Sequence, residues 1–197
     1  MKMKFLAPSG GEHPFGIFVN PNAYGVPAGI TSGKVWAADN GAFTGLDEKK
    51  FSDLLVRLEP YKKTCLFVVV PDVVGDAAKT IELFSQWKDR LSGWPLAFVA
   101  QDGQESLPFP DGFDALFIGG TTAWKESPSA IECIKRAQAA GMHIHIGRVN
   151  FGRRYNLFAQ IEGSEDFTCD GTRMRYGRDE CIKDWQRLQN ERSLPLW

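Results

Sequence analysis

Residues 68–77 read VVVPDVVGDA. Five of the first seven are valine, and Phe67 extends the run backward. A short, β-branched, continuously apolar run that stops at a proline has the character of a strand buried on both faces. Gly75-Asp76 then opens a segment in which Ile81, Phe84 and Leu91 recur at helical spacing, with Trp87 beside them. A doubly buried strand followed by a helix is one βα unit of a parallel sheet. The aspartate at the strand's end, Asp72, has two readings. It caps the following helix, as Asp76 also could, or it faces a ligand.

The same alternation runs along the whole chain. Apolar runs at 4–7, 16–19, 35–38, 66–70, 96–100, 115–118, 143–147 and 166–169 are expected strands. Between them lie helical patterns. Phe51, Leu54, Leu55 and Leu58 follow i, i+3, i+4, i+7. Ser127-Pro128 reads as a helix start and Gly141 as its stop, while Ile182, Trp185 and Leu188 mark a last helix. About eight strands alternating with helices predict a compact (β/α)8 barrel, one domain over residues 1–197. An open doubly wound sheet is the alternative. The loop between the first two strands is too short for a helix, so the barrel is expected to be irregular at its start.

The 197 residues suffice for one sizeable core, and a hydrophobic content of 43% is ordinary for a globular chain. A formal net charge of −1 argues against a non-specific, strongly basic coat for nucleic acid but leaves room for a local basic groove. Cys65, Cys133, Cys169 and Cys181 form no CxxC pair, which disfavours a structural zinc site and fits reduced thiols. The N-terminal MKMKFLAPSGG has no long apolar run, and no stretch reaches the ~20 apolar residues of a membrane span. A cytoplasmic protein with no membrane partner and no cofactor is expected.

In a parallel barrel, reactive groups collect at the C-terminal ends of the strands. Read in order, those ends give Asp39-Asn40-Gly41, Asp72, Gln101-Asp102-Gly103, Gly119-Gly120-Thr121, Gly147-Arg148 and Asp170-Gly171-Thr172. Carboxylates and an amide suit the polar edge of a planar ring. Paired glycines let backbone N–H groups approach it, Phe43 offers a stacking face, and a remaining carboxylate can serve as nucleophile or acid–base. Plainer readings stand beside these. Asn40-Gly41 is a common turn pair, and Gly-Gly is frequent in βα loops. His143 and His145 share a strand face, but a two-histidine metal site lacks a third ligand. Arg148, Arg153, Arg154, Arg173, Arg175 and Arg178 are either a solvated face or a phosphate track beside the last two strand ends.

From Asp39 to about Arg178 the order and spacing of these blocks resemble the tRNA-guanine transglycosylase superfamily, in particular its short DNA-modifying relatives. "ADNGAF" is similar to the family's D-S-G-G-F block, which implies a base-binding and catalytic Asp39. Asp72 falls at the second base-recognising aspartate, "VAQDG" places the base-contacting glutamine at Gln101, and "FIGGTT" places the base-contacting glycines at Gly119 and Gly120. "DFTCDGT" lies where the family keeps its nucleophilic aspartate, with Asp170 in the D-G-T form and Asp166 as the fallback. The resemblance implies cleavage of an N-glycosidic bond through a covalent aspartyl–sugar intermediate, with a free 7-deazaguanine-type base as co-substrate. The family's zinc-bearing insertion is missing, so DNA rather than tRNA is the expected polymer. A hydrolytic DNA glycosylase and a small-molecule nucleoside or sugar-phosphate enzyme are the rival readings.

Overall fold

The structure, a computed structural model, describes residues 3–149, 152–173 and 177–191. Among the described residues eight strands pair side by side, all in parallel, and close into a barrel. The strands are β1 (Lys4–Pro8), β2 (Gly16–Val19), β3 (Trp36–Ala38), β4 (Cys65–Val69), β5 (Leu96–Ala100), β6 (Ala115–Ile118), β7 (His143–Ile146) and β8 (Thr168–Asp170). The helices are α1 (Ala28–Thr31), α2 (Glu48–Leu58), α3 (Ala77–Trp87), α4 (Thr122–Lys125), α5 (Pro128–Ala139), α6 (Arg153–Phe158) and α7 (Arg178–Glu191). The open-sheet alternative is thereby excluded. No α-helix follows β1 or β5, and the one after β2 is a single turn, which is how a (β/α)8 barrel fits into 197 residues.

Two apolar layers hold the barrel. Outside it, α2 buries Phe51, Leu54, Leu55 and Leu58, the stripe expected from the sequence, and α3 buries Phe84 and Trp87 against Phe98 and its neighbours. Inside it, Leu6, Ala37, Phe67, Val69, Ala97, Val99 and Ala115 form a separate cluster, with Phe18 and Phe117 packed on it. Such layers of branched and aromatic side chains make the interior a filled core rather than a pore. The polar side chains His143, His145 and Thr168 share this interior.

Two local expectations need correction. Ser127 does not cap α5 through its side chain; its hydroxyl donates to the Trp124 carbonyl at 2.6 Å, folding back on α4. The last strand starts at Thr168, because Gly163 takes a left-handed φ of 77° and residues Ser164–Asp166 form a 3-10 turn. Asp166 therefore precedes the strand, at the end of the barrel opposite the strand C-termini. It lies in solvent, 3.8 Å from Lys4.

Candidate active site

Asp39, Asp72, Gln101, Gly119, Gly120, Phe43, Arg148 and Asp170 all line one cavity of about 100 Å³ at the C-terminal mouth of the barrel. They arrive from six strand ends and the loops that follow them. Asp39 follows β3, Asp72 follows β4, Gln101 follows β5, the glycines follow β6, Arg148 follows β7, and Asp170 ends β8. Phe18, Val69, Val99 and Phe117 form the cavity's apolar floor, at the top of the barrel core.

One wall is an amide–carboxylate network. Asn40 donates from Nδ2 to Asp72 Oδ1 at 2.7 Å and to the Val70 carbonyl at 2.9 Å. Gln101 donates from Nε2 to Asp72 Oδ2 at 2.6 Å, while its Oε1 accepts the N–H groups of Gly75 and Gly120 at 2.9 and 2.8 Å. Gln101 is thus fixed at both ends, and Asp72 retains lone pairs for a further donor. Asp72 is not the helix cap. That role falls to Asp76, which accepts the Lys79 N–H at 3.0 Å. Gly119 is required by space: a Cβ there would lie 2.6 Å from Val99 and 2.9 Å from the Gln101 amide nitrogen. Asn40 also accepts the Ala42 N–H at 2.7 Å, so the turn reading of Asn40-Gly41 and a site role coexist in one side chain.

The opposite wall carries Asp39, Asp170 and two cations. Desolvation, followed by the charges of Asp170 and Asp72, pushes Asp39 up to about 6, against the pull of the Gly41 N–H on its carboxylate. Burial raises Asp72 as well, opposed by the amides of Asn40 and Gln101. Asp170 Oδ1 accepts the Arg148 N–H at 2.8 Å and faces His145 Nε2 at 3.3 Å. Lys125 lines the same cavity. It is 4% exposed, donates to the Gly147 carbonyl at 2.7 Å, and is lowered by burial to about 8. Arg148 takes a left-handed φ of 58°, rare for a residue with a side chain. Its guanidinium lies 3.3 Å from the centre of the exposed Phe43 ring, so the two side chains stack across the mouth.

The other arginines read as a phosphate track are held elsewhere. Arg154 bonds Glu126 at 2.7 Å, the Arg148 carbonyl at 2.9 Å and Thr122 at 2.9 Å, which supports the β7–α6 loop from behind. Arg153 pairs with the other Glu126 oxygen at 2.6 Å, and Arg173 pairs with Asp184 at 2.7 Å. Arg175 lies outside the described residues. Sequence reasoning missed Lys125 and His145 as parts of the site, and it read Asn40 at its strand end without the bond to Asp72. Nothing local marks Lys125 as buried, whereas the shared face of His143 and His145 was visible. Among the described residues no three His, Cys, Asp or Glu side chains are grouped to hold a metal ion. A second cavity, of about 1040 Å³, is lined by the segments that follow β1 and β2. Its lining includes Ser9, Asn20, Tyr24, Lys34 and Arg178 but none of the strand-end carboxylates. The chain matches no protein-family model, no curated protein and no solved structure.

Proposed function

We propose that this protein cleaves the N-glycosidic bond of a nucleobase in nucleic acid, by base exchange in DNA through a covalent aspartyl–sugar intermediate. The observation that carries this reading is the gathering of three carboxylates and two amides around a single small cavity, with Asp39 raised to about 6 while Asp170 is held by one oxygen only. An oxygen of Asp170 would bond to the sugar C1′ as the C1′–N bond breaks, the electron pair leaving with the base. Asp39, half protonated near pH 6, would supply the proton the departing base takes up. An incoming 7-deazaguanine-type base would then attack C1′, return its proton to Asp39 and free Asp170. Asp72, the Gln101 network and the glycine backbone form the edge-reading wall, and Phe43 already stacks a flat cation.

The cavity is smaller than typical ligand pockets, so a base enters only if Arg148 swings off Phe43. A polymer substrate is favoured by the large groove beside β1 and β2, where fully exposed Tyr24 stands with Lys34 and Arg178 as a stacking and cationic track. The target nucleotide would be flipped out or taken from a single strand.

The deciding experiment offers DNA, tRNA and free nucleosides to the protein, with and without free 7-deazaguanine. Incorporation of the added base into DNA is the expected outcome. Abasic sites without incorporation would favour a hydrolytic glycosylase, and turnover of nucleosides alone would end the polymer reading. Asp170→Ala should abolish turnover with the fold intact, since it is the last residue of β8 and its side chain lines the cavity; full activity in that variant would remove Asp170 as nucleophile.

A further inference from the structure

A hydrogen-bonded chain enters the barrel interior from Asp170. His145 Nε2 lies 3.3 Å from Asp170 Oδ1, His145 Nδ1 lies 2.8 Å from Thr168 Oγ1, and the same Oγ1 lies 2.8 Å from His143 Nε2. With each ring carrying a single proton, these contacts admit one consistent direction. The Asp170 carboxylate oxygen already accepts the Arg148 N–H, so the ring atom facing it must donate. His145 then carries its proton on Nε2 and presents Nδ1 as an acceptor. The Thr168 hydroxyl donates to that Nδ1 and can only accept from His143, which must hold its own proton on Nε2. One carboxylate at the mouth thereby fixes the tautomers of two histidines beneath it.

The surroundings keep the chain neutral and rigid. His145 is fully buried among Phe18, Phe67 and Phe117, with ring centres 5.4, 5.1 and 4.6 Å away. Burial lowers His145, with Lys125 adding to that and Asp170 opposing it. Burial, then His145 and Lys4, lowers His143 to about 4, against the pull of Asp166. Neither ring therefore offers a second proton that would scramble the order. Both known donors to Asp170, the Arg148 N–H and His145, meet Oδ1; no described residue donates to Oδ2.

We propose that His145 is a positioning residue that, braced by Thr168 and His143, pins Asp170 by Oδ1 so that Oδ2 is the oxygen presented to the sugar. The proposal rests on the reading of Asp170 as nucleophile. It assigns work to three interior side chains that touch no substrate. At 3.3 Å the His145 contact is long, and it is expected to shorten in the loaded site.

Two measurements test it. Nitrogen-15 spectra of the histidines, taken without substrate, should show His143 and His145 neutral and protonated at Nε2, and Thr168→Val should disturb the His145 signal. Kinetics should show His145→Phe losing on the order of 10²-fold in kcat with KM little changed, the signature of a misplaced reacting group. His145→Gln, whose amide can still donate to Oδ1, should recover most of that loss, which a purely structural role would not require. An Nδ1–H tautomer at His145, or a folded His145→Phe with undiminished kcat, overturns the proposal. Because the spectra need no turnover, a broken chain is detected there by itself, whereas a wild-type protein without base release fails the functional reading instead.

Discussion

At the scale of single residues, Asp39 works against the fold. Its carboxyl is raised from 3.8 to about 6, so between those values the folded chain holds a proton that the unfolded chain has released. Stability therefore falls as pH rises through that window and stays lower above it. Because Asp39 is only partly buried, the penalty is about 1 to 3 kcal/mol. Asp39→Asn should consequently raise the melting temperature at pH 7.5, gain little at pH 4, and lose base release at both. A variant that is no more stable at pH 7.5 would mean the carboxylate is better solvated than its surroundings indicate. Arg148 bears on affinity in a comparable way. Its stack on Phe43 is a cation–π contact worth roughly 0.5–1 kcal/mol at an open site. It competes with any base for the same ring face. Arg148→Ala should tighten binding of free 7-deazaguanine about two- to five-fold, measured by calorimetry, the factor that energy implies. Weaker binding would show that Arg148 holds the base rather than excluding it. Asp39, Asp72, Gln101 and Asp170 were legible because a barrel strand's end has a fixed destination. Lys125 was not, because its burial depends on α4 folding over the Gly147 carbonyl 22 positions away.

At the scale of elements, the stretch from Val68 to Ala77 contains two aspartates that look alike and do different work. Asp76 closes the first turn of α3, and Asp72 faces the cavity between two amides. Asp76→Ala should cost about 1 kcal/mol of stability, as a lost cap does, and leave base release unchanged. Asp72→Asn should do the reverse. It would place amide protons or a weaker acceptor against the Asn40 and Gln101 donors, disordering that wall of the cavity while α3 stays formed. Denaturant melts and base-release rates of the two variants should fall on opposite sides; a common pattern would deny the division. Strand identities were readable from β-branched runs, and α2 from its stripe of Phe51, Leu54, Leu55 and Leu58. The β8 boundary was misread by two residues because Phe167 continues the apolar pattern backward, while the turn set by Gly163 delays pairing until Thr168. The arginine pairs with Glu126 and Asp184 were hidden for a different reason. A cation shows its partner only once the helices are packed.

At the scale of the whole molecule, the barrel was expected from the repetition of one βα pattern, and its irregularity from the short loop after the first strand. What could not be read is how the omission of a helix opens a groove beside that loop, since groove shape is set by what packs around an absence. The closure itself has a consequence in time. The last strand pairs with the first, Leu6 beside Asp170, and Trp185 of α7 packs on Phe5 at 5.1 Å between ring centres. The proposed nucleophile thus lies in the seam that joins chain segments more than 160 positions apart. Contacts of such separation carry a large loop-closure entropy and form slowly. A growing or partly refolded chain can assemble the Asp72–Gln101 wall from neighbouring strands while the Asp170 carboxylate is still unplaced. In refolding from urea, base cleavage should return only with the slowest structural phase, later than tryptophan burial by α2 and α3. Cutting that preceded ring closure would contradict the seam. On the proposed function, the order of assembly would act as a safeguard: a nascent barrel would hold its base-binding wall before it could sever a bond.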